Sequence, residues 1–393
     1  MAHLLLVTCL LTSLEWSTAL LRSGGAKVHG QCPARAGAAT TTATKLIVYN
    51  GRFGKPPHQN LGCSMPCEVR LAPKNMYEAD AVVWNEAGML LTSRMPGQKP
   101  AGQKWVYAFW FEPPNRNEEF ELRKGRATST LDSKHIVDWT MTYSPTSDFS
   151  WPMQKLVPLG STSNHLRSCD AEEGADFERM PLLVESVNAS APRKLLLALI
   201  SNCEGPRMEF LRRLKQSLPP GSVDIFGSCG STSPCPGRHE NDQCHRRLFS
   251  NYKFYAAFEN RRFQGYISEK IFRAFQWGMV PIAAGGLGRK DYEALGIPKS
   301  AMVHIDDFSS VNELAKFMTS MDETTRSKYF AWRQHLRIAS QLESRVDAFC
   351  DLCLELHKPP ELQKASRVFG KNLTKWWFDQ YEKGYSSALD RQE

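Results

Sequence analysis

No Asp-x-Asp occurs anywhere in the 393 residues, so the usual aspartate pair for holding a divalent metal on a diphosphate is missing. Neither G-x-x-x-x-G-K-[ST] nor G-x-G-x-x-G is present; "GRFGKPP" has the wrong spacing, and "GGLG" after Ala284 reads as a tight turn. Lys/Arg blocks, a recognition-helix pattern and zinc-finger spacing are lacking as well, so the net charge of +8 does not point to nucleic acid. It suits an anionic ligand or a membrane-proximal location. No repeat recurs at a solenoid period. A comfortable membrane span is also absent: the apolar run at residues 4–14 is broken by Glu15 and has no basic segment before it. Residues 1–21 are therefore read as a secretory-pathway signal, either cleaved or kept as a short anchor.

What is present agrees with a lumenal address. Of the eleven cysteines, setting aside Cys9 in the apolar run leaves ten, an even number. Cys63 and Cys67, then Cys229, Cys235 and Cys244, then Cys350 and Cys353 form groups, which in an oxidising compartment read as disulfides. Zinc at Cys229, Cys235, His239, Cys244 and His245 is disfavoured by irregular spacing. A redox role for Cys350-x-x-Cys353 is disfavoured by its place on a helical tail, and a structural bridge is the expectation. Asn188 and Asn372 sit in N-x-S/T sequons.

A stem without periodicity spans residues 22–44. Folded sequence follows, with continuous apolar runs such as "KLIVYN", "AVVW" and "WVYAFWF" that suit strands buried on both faces. A polar, Pro-containing break near residue 188 divides two α/β domains, 45–188 and 189–345, and a helical tail follows at 346–393. In the second, "LLLALI", "VDIF", "FYAAF", "VPIAA" and "MVHI" alternate with helical segments, the pattern of a doubly wound parallel sheet.

The stretch "FYAAFENRRFQGYISEK" at residues 254–270 carries the chemistry. An apolar strand ends on Glu259 and Asn260, and a helix opens at Ser268 with Lys270 in its first turn and Gly278 as its stop. Ligands in such sheets bind at the carboxyl ends of the strands, and a helix start with a lysine suits a pyrophosphate. Arg207, early in the preceding helix, offers a second cation. The plainer reading is an ion pair of Glu259 with Lys270 at a helix start. In the first domain Glu112 ends a hydrophobic strand beside Trp110 and Phe111, an environment that raises a carboxylate toward useful basicity. Taken alone, it reads equally well as a surface glutamate.

Residues 252–286, "YKFYAAFENRRFQGYISEKIFRAFQWGMVPIAAGG", resemble the signature of the α1,3-fucosyltransferases, glycosyltransferase family 10. "DWTMTYSPTSDFSW", "HIDDFSSVNELAKFM" and the C-terminal CxxC extend the likeness to about residues 45–353. The inserted Cys229/Cys235/Cys244 segment is more similar to invertebrate and plant members.

The resemblance implies a GT-B architecture, two Rossmann-like domains facing a cleft, and inverting transfer of L-fucose from GDP-β-L-fucose to O3 of a GlcNAc on a glycoprotein glycan. It implies Glu112 as general base and Glu259 and Asn260 facing the fucose. Arg207 and Lys270 hold the diphosphate, and Tyr266, Glu269, Asn202 and Ser268 complete the donor side. No cofactor or metal is required by it, with stimulation by Mn2+ or Mg2+ left open. The location implied is the Golgi membrane, as a single-pass type II protein or a form released after signal cleavage. Two departures, Arg261 and Gly265, keep a catalytically silent glycan- or nucleotide-binding protein in view. A GT-B transferase with another acceptor, such as a protein O-fucosyltransferase, is the enzymatic alternative.

Overall fold

The computed structural model describes residues 42–51, 61–73, 76–85, 98–109, 137–161, 194–203, 206–235, 243–366 and 376. The leader at 1–21, most of the stem, Glu112, Asn188 and Asn372 lie outside the described residues. Strands β1 (Lys45–Gly51), β2 (Cys67–Leu71), β3 (Ala81–Asn85), β4 (Lys104–Phe109), β5 (Trp139–Thr142) and β6 (Phe149–Ser150) form a parallel sheet in the order β2-β1-β3-β4-β5-β6. β7 (Lys155–Pro158) leaves it.

Next come β8 (Lys194–Leu199), α1 (Pro206–Ser217), β9 (Val223–Phe226), α2 (Gln243–Ser250) and β10 (Tyr252–Phe258). They are followed by α3 (Glu269–Gln276), β11 (Val280–Ala284), α4 (Arg289–Glu293), β12 (Val303–His304), α5 (Val311–Ser320) and α6 (Glu323–Lys328). The second sheet is also parallel, in the order β12-β11-β10-β8-β9. β13 (Leu336–Ala339) pairs antiparallel with β7, and α7 (Gln341–Leu356) follows.

Both orders begin in the middle and wind outward in both directions, so each sheet is doubly wound and has a switch point beside its first strand. The fold is the two-part α/β, GT-B arrangement read from the sequence. The strands are rich in apolar residues, and every residue of β3, β5 and β11 is buried, as expected of strands covered on both faces. Pro281 is tolerated inside β11 because pairing with β12 begins only at Ile282↔Val303. On the second sheet, Met208, Leu211 and Leu214 of α1 share one core with Leu314 and Met318 of α5. Ile271, Phe272 and Phe275 of α3 belong to the core on the opposite face.

The C-terminal helix closes the first sheet, not the second. Val346, Phe349, Cys350, Leu352, Cys353 and Leu356 of α7 share a core with Ile47, Tyr49, Val83, Ala108 and Met141. A full capping box, Ser340 with Glu343, starts this helix. The two cysteines of the CxxC do not bridge each other: Cys350 bonds Cys63 and Cys353 bonds Cys67. The chain thus returns across sequence separations of 287 and 286 residues to be stapled onto its own beginning.

These two bridges are not independent. In the chain-entropy view the first to form restrains a loop spanning 287 residues, worth roughly 6 kcal/mol, whereas the second then closes a ring of only a few residues, worth roughly 2 kcal/mol. Removing either pair by Cys→Ser should therefore lower the thermal midpoint modestly. Removing both should cost clearly more than the sum of the two, as a thermal scan of the three variants would read; an additive outcome contradicts the nested-loop account.

Candidate functional site at the switch point of the second sheet

The switch point lies between β8 and β10, where the chain leaves for opposite edges of the sheet. Three predicted donor-side residues meet there. Pro206 opens α1, the position at which its missing N–H costs nothing. Its neighbour Arg207 is buried and reaches across the crevice. Nη2 donates to the Asn202 carbonyl at 2.6 Å, and Nη1 donates to the Phe258 carbonyl at 3.3 Å and to Asn260 Oδ1. The strand ends thus share one guanidinium, which fixes the separation of the two loops. Cys203 bonds Cys229, tying the loop after β8 to the loop after β9 at the same edge. Sequence grouping did not single out Cys203, although the odd count of three in Cys229, Cys235 and Cys244 required a partner elsewhere. Cys235 and Cys244 bond each other.

Glu259 turns inward. The residue is 4% exposed, and its carboxylate accepts from the Ser268 N–H at 2.7 Å, from Ser268 Oγ at 2.8 and 2.9 Å, and from Lys270 Nζ at 2.8 Å. Lys270 Nζ also donates to Ser268 Oγ at 2.7 Å. The ion pair weighed as the plainer sequence reading is therefore present. A buried charge left unpaired would be far costlier than the pair. Burial pulls the Lys270 ammonium down, but the attraction of Glu259 and Glu269 outweighs it and leaves the group above its ordinary value. Burial pushes Glu269 up, and Lys270 with Arg273 more than reverses this, so it lies below the usual carboxylate range. Both are charged at neutral pH.

One expectation needs correcting. Ser268 occupies the N-cap position of α3, but its hydroxyl makes no capping bond. It is turned to Glu259 instead, because a buried carboxylate binds a hydroxyl proton more strongly than the helix binds a hydroxyl oxygen. Gly285 explains the "GGLG" run: a Cβ there would lie 2.6 Å from Glu259 Cγ and 2.9 Å from the Tyr292 hydroxyl.

The remaining predicted residues separate. Tyr266 is 3% exposed, with its ring 5.3 Å from that of Tyr143 at the end of the first sheet. Glu269 is partly exposed beside Lys270 and Arg273. Glu112, Asn188 and Asn372 are outside the described residues. Arg262 was overlooked: it is buried and pairs bidentately with Asp306 at 2.9 and 2.6 Å, while Arg289 takes Asp307 at 2.8 Å. The signal was in the sequence, two arginines and two aspartates at successive strand ends. These pairs also spend the adjacent aspartates of "HIDDF". One Cys/His group among the described residues gathers Cys67, Cys353 and His357, and its two sulfurs are bonded to each other.

His304 is fully buried at the end of β12. Nδ1 accepts from the Asp306 N–H at 3.2 Å, and the ring meets Tyr292 edge-on. Burial pushes the imidazole down to about 4; Asp306 pulls it up, and Arg262 and Arg289 push it further down. The unfolded chain therefore takes up this proton first. Stability should be intact above about pH 6.5 and fall by roughly 3 kcal/mol as the pH drops toward 4, a slope that begins above the window in which carboxylates titrate. A thermal midpoint measured against pH should show this slope, and His304→Asn should flatten it while lowering overall stability. A slope unchanged in that variant contradicts the assignment.

Comparison with known proteins finds relatives of both parts of the chain. Residues 189–376 match the family described as glycosyltransferase family 10 (fucosyltransferase) C-term, and residues 41–154 match fucosyltransferase, N-terminal. Alpha-(1,3)-fucosyltransferase 7 of Bos taurus is 30% identical over 345 residues, 85% of this chain and 87% of that protein. The Mus musculus protein of the same name is 29% identical over 343 residues, 85% and 77% of the two chains. A crystal structure of alpha1,3-fucosyltransferase with GDP aligns over 75% of this chain and 83% of that one, with 16% identity and a TM-score of 0.44. With both of its parts matched and relatives alike over most of their length, the chain belongs to glycosyltransferase family 10, the fucosyltransferases.

Proposed function

We propose that the protein transfers L-fucose from GDP-β-L-fucose to O3 of a GlcNAc residue on a glycoprotein glycan, with inversion at the anomeric carbon. One observation carries the donor half: Arg207, Lys270, Asn260 and Glu259 converge at the carboxyl ends of β8 and β10, the switch point where such sheets take ligands. Arg207 and Lys270 supply positive charge for the two phosphates at the starts of α1 and α3, whose helix dipoles add to it. Glu269, held ionised, is placed in the same first turn to accept from ribose hydroxyls. Donor binding then draws Lys270 toward phosphate and lets Glu259 face the positive charge that develops on the sugar.

Glu112 follows β4 and is assigned as the base that takes the acceptor hydroxyl proton as the GlcNAc oxygen attacks. The fucose C1–O bond breaks as the C1–O3 bond forms, and GDP leaves with the electron pair of the broken bond. In this reading the arginine and lysine neutralise the leaving group, so the steps require no metal, and stimulation by Mn2+ or Mg2+ stays open. The silent-protein reading loses one of its two supports, because Gly265 is the residue its own backbone requires (φ +72). The lumenal, Golgi-membrane address belongs to the same proposal and rests on residues 1–21 and the disulfides.

The test incubates the purified full chain with GDP-fucose and acceptors of three kinds: N-acetyllactosamine, an N-glycan core and a folded protein domain. Mass spectrometry reads the products. One acceptor class should gain fucose, and Glu112→Ala should abolish that gain while GDP binding stays close to wild type. Transfer that survives Glu112→Ala removes the base assignment, and absence of transfer to every acceptor removes the reading.

A further inference from the structure

Asp291 has no part in the donor site described above, yet it joins the loops around it. Only 9% exposed on α4, it uses a single oxygen, Oδ2, to accept the N–H of Gly265 at 2.8 Å and that of Leu287 at 2.7 Å. Gly265 lies in the loop after β10 and Leu287 in the turn after β11, so one carboxylate ties two neighbouring strand ends together.

The first of those loops is also where the second sheet touches the first. Gly265 has φ +72, and a Cβ there would lie 2.7 Å from both the Tyr143 carbonyl oxygen and Pro145 Cδ. Beside it, the Tyr143 ring stands 5.3 Å from Tyr266 and 6.1 Å from Phe263. The start of the loop is held by the buried Arg262–Asp306 pair. Residues 261–266 are therefore clamped by two aspartates on their own side and seated against Tyr143 and Pro145 on the other.

We propose that Asp291 is a positioning residue for transfer: it holds Gly265 and Tyr266 on Tyr143 and Pro145, and so sets the acceptor-side sheet against Glu259 and Asn260. This rests on the transfer reaction proposed above. A reaction between two substrates held on two sheets depends on that alignment, and a displacement near 1 Å costs about a hundredfold. Attack of water on the donor needs no second substrate held in register, and GDP is held through Arg207, Lys270 and Glu269 of the second sheet, outside residues 261–266. An asparagine at 291 keeps the shape but offers a neutral, weaker acceptor to the two N–H groups.

The experiment takes the full chain as wild type, Asp291→Asn and Gly265→Ala. It measures transfer to the acceptor found active, hydrolysis of GDP-fucose without acceptor, GDP affinity by calorimetry, and the thermal midpoint. Both variants should lose about tenfold to a hundredfold in transfer kcat, with GDP affinity and acceptor-free hydrolysis unchanged. Gly265→Ala reaches the same contact from its other side by forcing a methyl group into Tyr143. Wild-type transfer by Asp291→Asn overturns the proposal, as does a parallel fall of transfer, hydrolysis and GDP affinity, which would mean that the carboxylate only maintains the fold. If the wild type hydrolyses GDP-fucose but fucosylates no acceptor, the transfer reading fails and this proposal with it.

Discussion

A carboxylate buried at the end of a parallel strand sets the conditions for the rest of the site. Glu259 lies too deep for water, so its charge is tolerable only with partners, and it has four donor contacts from two residues. Meeting that demand brings Ser268 and Lys270 back to the strand they follow by nine and eleven residues. The return fixes the length of the intervening loop, the start of α3, and the place of a lysine in its first turn. Gly285 must then be bare, because the carboxylate stem occupies the space of its side chain. Arg207 solves the matching problem between β8 and β10 by satisfying acceptors on both strand ends.

The same arrangement relates the two halves. The loop that returns from Glu259 to Ser268 is the loop that docks on Tyr143 and Pro145, so whatever secures the donor side also registers it against the first sheet. Two ionic clamps, Arg262–Asp306 and Asp291 on backbone N–H groups, act within that loop. On the far side of the first sheet, α7 is held by Cys63–Cys350 and Cys67–Cys353. The final helix of the second half thereby becomes a covering layer of the first. Separation of the two sheets is opposed by covalent bonds at one face and by packing at the carboxyl edges.

Much of this was legible in the sequence, for physical reasons. Continuous apolar runs such as "VPIAA" admit few readings other than strands buried on both faces, and their alternation with helices implies winding. The gathering of Arg207, Asn260, Glu259 and Lys270 followed from where strands end and helices begin. What stayed hidden depends on distance in the chain. Nothing local tells Cys350 that its partner is Cys63, because pairing is decided by the packing of α7 on the first sheet. Asp291 carries no local signal in the sequence, and its role arises only when two loops converge. Gly265 read as a departure from a family pattern; its positive φ and its contact with Tyr143 make it a requirement of this chain. The turning of the Ser268 hydroxyl from the helix to Glu259 is a competition between two partners, which spacing alone does not decide.

The most direct test of the account is GDP affinity in the double variant Glu259→Gln/Lys270→Gln, measured by titration calorimetry beside its thermal midpoint. Neutralising both partners leaves no unpaired buried charge, so the fold should persist with a midpoint near that of the wild type. If the lysine is the donor's cation as well as the partner of Glu259, the variant should bind GDP at least about tenfold more weakly, the loss of one charge-assisted contact. A folded double variant that binds GDP as tightly as the wild type would show that the pair only builds the loop, and the donor site would have to be sought elsewhere.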